Sequence, residues 1–180
     1  MEIEHNYLPG QYEENGNHSI NHNYLGKQFS DYKEIINEIE KLVKRCDYTL
    51  GKSVDEFEDN IKKITGSQFA IGVGSGTDAL FLSLKAVGID KGDEVITTPY
   101  TFFATIGAIF TAGATPVFVD IREDYNINPN LIEKAITKNT KCILPVHWAG
   151  LPCEMDAIMD IAKKNNLFVI EDACHTIRAE

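Results

Sequence analysis

From Phe69 onward the chain alternates between short apolar runs and longer stretches with the spacing of amphipathic helices, and this alternation limits the fold more than any other feature. Strands are expected over residues 69–73, 95–98, 116–119, 142–146 and 168–171, with helices over 77–87, 102–112, 129–137 and 154–165 between them. Asn128 is a good cap and Pro129 a good first residue for the third of these helices. Strands and helices taking turns imply an α/β fold: a mostly parallel sheet flanked by helices, with ligands at the carboxyl ends of the strands. The informative loops are therefore those that follow each strand, GSGTDA, PYTFFAT, DIREDYN, HWAGLP and EDACHT. Upstream, Ile35, Ile36, Ile39, Leu42 and Val43 share one face of a helix over 31–45. Ser53 with Glu56 reads as a capping box for a second helix that runs to Gly66.

Composition narrows the class of protein. At 180 residues, 43% hydrophobic and 24% charged, the chain can bury a substantial core and fits one globular domain. A net charge of -10, with no basic cluster beyond the helix end at Lys41 to Arg45, argues against a nucleic-acid or anionic-membrane binder. The cysteines Cys46, Cys142, Cys153 and Cys174 have neither CxxC nor zinc-like spacing, which fits reduced thiols, a cytoplasmic location and no metal site. Residues 1–26 are polar, rich in Asn and His, and read as a flexible arm without the apolar core of a signal peptide. The uncharged run from Val95 to Val119 is long enough to span a membrane. Pro99, Gly107, Gly113 and Pro116 interrupt it, and a buried strand, helix and second strand explain it better.

The segment AIGVGSGTDAL, from Ala70 to Leu80, has the outline of a phosphate cradle. Gly72, Gly74 and Gly76 would let the backbone turn sharply and approach an anion, and helix entry at Thr77 would aim unpaired N–H groups at it. Simple packing of a strand against a helix accounts for such a loop equally well. A Walker loop fits poorly, because Gly76 is followed by Thr77 and Asp78 where lysine and serine or threonine are required. A dinucleotide fingerprint also fits poorly: Thr77 stands where it needs glycine, and Asp93 and Glu94 precede a strand instead of ending one.

At the other end of the alternating region, Glu171, Asp172 and His175 fall where the last apolar run stops. A carboxylate at an apolar strand end is costly unless it meets a cation or several donors. A protonated pyridine nitrogen is one such cation, and a cap on the following turn is the plainer use of Asp172. Phe102 offers a flat apolar face for a ring, and Thr77 offers the phosphate end.

Taken in order, YTLGKSVDEFE, GVGSGTDALFLSLKAVGIDKGDEVIT, PYTFFAT, PVFVD, PVHWAGLPCEMDAI and VIEDACH resemble the DegT/DnrJ/StrS family of pyridoxal-phosphate-dependent nucleotide-sugar aminotransferases, from about Tyr48 to His175. The resemblance implies the large domain of the aspartate-aminotransferase-like fold over 27–180, without the family's small C-terminal domain, and a homodimer in the complete protein. It implies that Gly76 and Thr77 hold the cofactor phosphate, that Phe102 stacks on the pyridine ring, and that Asp172 pairs with its nitrogen. His175 would touch the ring hydroxyl, at a place where many relatives have glutamine. Thr49, Gly51 and His147 would lie on the substrate side, although His147 also reads as a histidine satisfied by backbone at a strand end. The implied reaction moves an amino group from glutamate to a keto-deoxy nucleotide sugar, both small-molecule substrates.

The family's Schiff-base lysine lies well downstream of the aspartate motif, and none of the lysines here, including Lys85, Lys91 and Lys141, occupies that position. The chain therefore reads as the N-terminal part of an aminotransferase. Two other readings share these residues: a sugar dehydratase of the same fold, in which histidine replaces the lysine, and a non-catalytic remnant that binds a partner chain.

Overall fold

The computed structural model describes residues 25–177 and Ala179; of the arm expected over 1–26, all but Leu25 and Gly26 lies outside the described residues. Contacts divide the chain into one unit over Met1–Ser53 and another over Val54–Glu180.

In the first unit, α1 (Leu25–Gln28) is a single turn and α2 (Tyr32–Arg45) carries the expected apolar stripe, none of which is buried. Helix α2 stops at Cys46, whose φ of 56° turns its N–H back to the Val43 carbonyl. Helix α3 (Lys52–Thr65) starts one residue before the expected cap, so Ser53 is already helical. The chain enters it through Leu50, at φ 49°, and Gly51, and helical torsions begin before Ser53 is reached.

The second unit is built on a parallel four-stranded sheet of order β2-β1-β3-β4, comprising β1 (Glu94–Thr97), β2 (Thr115–Phe118), β3 (Thr140–Ile143) and β4 (Phe168–Val169). Val95 is opposite Pro116 on one side and Cys142 on the other, and Cys142 is opposite Phe168. Helix α4 (Gly76–Ala86) leads into β1. Parallel strands need long crossovers, and helices supply them: α5 (Phe103–Thr111) between β1 and β2, α6 (Pro129–Ala135) between β2 and β3, and α7 (Met155–Asn165) between β3 and β4. Because strand side chains alternate, Val95, Cys142 and Leu144 face a core with Leu80 and Leu84 of α4 and Ala108 and Ile109 of α5. Ile96 and Ile143 face the other way, into a core with Ile132 of α6 and Ile158 and Ala162 of α7. The sheet is thus covered on both faces, as the alternation requires.

The expected strand over 69–73 does not form. Its residues run toward α4 without entering a ladder, and Phe69 and Ile71 are each 81% exposed. A strand needs a ladder, and among the described residues this segment forms none, although β2 and β4 each keep an open edge; the Gly72 N–H donates instead to Glu58 Oε1 at 2.7 Å. The segment and the residues that follow β4 flank a groove of about 750 Å³ lined by Phe57, Ile71 and Ile170 among others.

Ile143 is fully buried at the centre of the second core. Ile143→Ala should destabilise the chain by about 2–5 kcal/mol. Urea unfolding checks this, and an unchanged midpoint would mean that the second core is not anchored on β3.

Candidate active site

The carboxyl ends of β1 and β3, the turn after β4 and the start of α4 converge on one end of the sheet. At the start of α4 the cap is Ser75, and Gly76 and Thr77 are the first helical residues. Ser75 Oγ accepts the Asp78 N–H at 3.1 Å and donates to Asp78 Oδ2 at 3.0 Å. That cap serves Asp78, and helix geometry leaves the N–H groups of Gly76 and Thr77 without an intrahelical acceptor. The glycines earn their place by close approach, not by the sharp turning expected of them, since Gly72, Gly74 and Gly76 all keep ordinary φ. A Cβ on Gly76 would come within 3.0 Å of Cys174 Sγ, and one on Gly74 within 2.9 Å of Asp78 Oδ2.

Phe102 occupies the cap position of α5 with extended torsions, and its ring is 73% exposed. Asp172 follows β4 and is only 8% exposed. One of its carboxylate oxygens accepts the hydroxyl of Thr105, in the first turn of α5, at 2.9 Å; the other accepts the Cys174 N–H at 3.3 Å. The turn-capping contact is therefore present, and it occupies one oxygen of the pair.

His147 follows β3 and is buried. Its Nδ1 accepts the Cys153 N–H at 3.1 Å, which fixes the tautomer, so Nε2–H donates to Glu171 Oε2 at 2.9 Å. Both ring nitrogens are engaged, with backbone on one side. The next residues form a single 3-10 turn, Trp148–Gly150, in which Ala149 has φ 51°. Buried Asn126 shapes that turn, accepting the Trp148 N–H at 3.0 Å and donating to the carbonyls of Leu151 and Pro152 at 3.1 and 3.2 Å. Trp148 packs edge-on against His175, with ring centroids 5.8 Å apart, and Tyr100 lies 4.6 Å from its other side.

These pieces enclose a cavity of about 220 Å³. Gly76, Thr77, Phe102, His147, Asp172 and His175, all singled out in the sequence, line it together with Thr101, Trp148 and Cys174. No lysine is among its lining residues. Thr49 and Gly51 belong to the N-terminal unit, in the turn between α2 and α3.

Sequence reasoning missed Ser75, Thr105, Trp148 and Cys174. A serine directly before a helical run was a readable capping signal for Ser75. The approach of Thr105 to Asp172 crosses 67 positions of sequence and left no local trace.

The DegT/DnrJ/EryC1/StrS aminotransferase family profile matches residues 30–180. The chain belongs to that family. It is 46% identical over 146 residues to the spore coat polysaccharide biosynthesis protein SpsC of Bacillus subtilis (strain 168), covering 81% of this chain and 38% of that one. Over 148 residues it is 43% identical to the UDP-N-acetyl-3-dehydro-alpha-D-glucosamine 3-aminotransferase of Acidithiobacillus ferrooxidans, covering 82% of this chain and 40% of the relative. Among solved structures it is similar to NtdA from Bacillus subtilis with bound cofactor PMP, with TM-score 0.81, 38% identity, and 82% of this chain on 34% of that one. The chain thus spans about 40% of the length of the curated relatives it matches. No helix among the described residues is long and apolar enough to cross a membrane, in accord with the broken run from Val95 to Val119.

All four cysteines are free. Burial pushes the Cys142 thiol up to about 12 and that of Cys153 up to about 11. Cys174 is also raised, from 9.0 to about 11, first by hydrogen bonding to the Asp172 carboxylate, then by burial and by that charge. At pH 8 this leaves its thiolate about a hundredfold scarcer than that of an ordinary thiol. Iodoacetamide labelling followed by mass spectrometry should find Cys174 slow in the native protein and faster in Asp172→Asn. Equal rates would mean that the Asp172 charge is not felt at Cys174.

Proposed function

We propose that the whole protein is a pyridoxal-phosphate-dependent aminotransferase that transfers an amino group from glutamate to the keto group of a nucleotide-linked deoxy sugar. The observation that carries this reading is that Gly76, Thr77, Phe102, Asp172 and His175, drawn from loops far apart in sequence, line one cavity. Family membership and relatives named as sugar aminotransferases support the same chemistry.

The residues fit the cofactor. A cavity of about 150 Å³ holds a benzene ring, so about 220 Å³ accommodates a substituted pyridine. N–H groups without an intrahelical acceptor at the start of α4, with the Thr77 hydroxyl, are suited to the phosphate, and a Cβ at Gly76 would crowd Cys174 Sγ at 3.0 Å. The exposed Phe102 ring provides a surface for the pyridine. Asp172 would hold a proton on the ring nitrogen, and His175 would meet the ring hydroxyl. When bound, the cofactor supplies an electron sink for the carbanion that transamination requires. His147, with both nitrogens engaged, is part of the cavity wall, on what would be the substrate side. The amine that carries the cofactor would come from polypeptide beyond these cavity-lining residues. A cytoplasmic homodimer completes the reading, with 27–180 contributing the first part of the large domain.

Asp172→Asn in the whole protein should fold but lose most of its glutamate half-reaction, because an amide cannot hold the pyridinium charge. A hydrogen bond to a charged group contributes about 1.5–3 kcal/mol, so the rate should fall at least about tenfold. Cofactor absorbance follows this half-reaction, and an unchanged rate would remove Asp172 from the role.

Thr77→Val keeps the shape and deletes one hydroxyl, so affinity for pyridoxal phosphate should fall while the fold survives. Equilibrium titration measures it. Equal affinity would leave Thr77 an ordinary helix residue.

A further inference from the structure

Thr105 is fully buried and its hydroxyl has two neighbours, Asp172 Oδ2 at 2.9 Å and Thr101 Oγ1 at 2.8 Å. A carboxylate can only accept, so the single Thr105 proton goes to Asp172. Thr105 must then accept from Thr101, which settles the direction of a bond that distance alone leaves open. The hydroxyls form a one-way chain, Thr101 to Thr105 to Asp172. Both of its ends line the cavity, and its middle is sealed in the protein.

We propose that Thr105 is a positioning residue for Asp172: through the Thr101–Thr105–Asp172 chain it keeps the carboxylate aimed into the cavity at a ligand ring nitrogen. This rests on the cofactor reading above. The backbone donor at Cys174 reaches the other oxygen at the longer distance of 3.3 Å, so Thr105 is the closer of the two constraints on the carboxylate plane. Without Thr105, a carboxylate that is 8% exposed would keep only its bonds from Cys174 and could swing about them. A donor lost from a buried charged group is felt more than one lost from a neutral group. Nothing else ties α5, which is capped by Phe102, to the Asp172 side chain among the described residues.

The test compares two ligands in the whole protein: pyridoxamine phosphate, which needs no lysine, and its deaza analogue, in which a C–H replaces the ring nitrogen. Thr105→Val conserves shape, and Thr105→Ser conserves the hydroxyl. Equilibrium binding should find pyridoxamine phosphate weakened about tenfold in Thr105→Val and restored in Thr105→Ser. The deaza analogue should bind all three proteins alike, because Thr105 acts only through the contact between Asp172 and the nitrogen. A merely structural role would weaken both ligands together, and that result, or undiminished pyridoxamine phosphate binding in Thr105→Val, or no rescue by serine, overturns the proposal. If the wild-type protein does not distinguish the two ligands, Asp172 does not meet the ring nitrogen; the cofactor reading then fails, and the role of Thr105 fails with it.

Discussion

Pairing between β3 and β4 continues past the end of both strands, and the arrangement of the cavity depends on it. The Ile170 N–H reaches the Ile143 carbonyl at 3.1 Å, the Asp172 N–H reaches Pro145 at 2.9 Å, and the His147 N–H returns to the Asp172 carbonyl at 3.1 Å. Val146 and Asp172 thus form one more parallel bridge beyond the ladder. Without this extension the two loops would part as they left the sheet. With it, Asp172 and His147 are held side by side by backbone, and their side chains need only local partners. The cost of burying a carboxylate there is offset by the Thr105 and Cys174 donors.

Helices beside the sheet complete the enclosure. Helices α4 and α5 share one core through Leu80, Leu84, Ala108 and Ile109, so their first turns lie together beside the sheet. The first turn of α4 brings Gly76 and Thr77, and that of α5 brings Thr105, with Phe102 at its cap. Packing apolar residues in the middle of these helices therefore sets the spacing of polar groups at their starts. The same division of labour explains why the second core, under α6 and α7, supplies no residue to the cavity wall. It stiffens β3 from the opposite face.

Much of this was legible in the sequence, because it depends on period and on turn chemistry. Helices α4 to α7 lie within a residue or two of where apolar spacing, Asn128 and Pro129 put them, and four of the apolar runs became the four strands of the sheet. Strand ends shifted by one or a few residues, since hydrogen bonding fixes them and apolar character does not: β3 closes at Ile143 although Leu144 to Val146 are equally buried. Phe69 to Val73 failed for a deeper reason. Alternation records that a segment is extended and apolar on one side, but pairing belongs to two segments at once, and the second was not readable there. In the cavity, the loops found from strand ends were the right ones. What escaped was contact between them: Thr105 with Asp172, Asn126 with the turn at Trp148, and Cys174 against Gly76.

The two readings of Asp172, as a turn cap and as a partner for a cation, are compatible on stereochemical grounds. An ionised carboxylate offers about four lone-pair positions. Thr105 takes one on Oδ2, the Cys174 N–H takes one on Oδ1 and the Cys174 thiol takes a third, which still leaves a position for a cation. These bonds lock the plane of the group, and a locked plane is what a directional contact to a flat ring requires. A freely rotating carboxylate would lose orientational entropy on binding, whereas here that loss is already met in folding. The modest cap read from sequence is therefore part of the preorganisation on which the proposed chemistry depends.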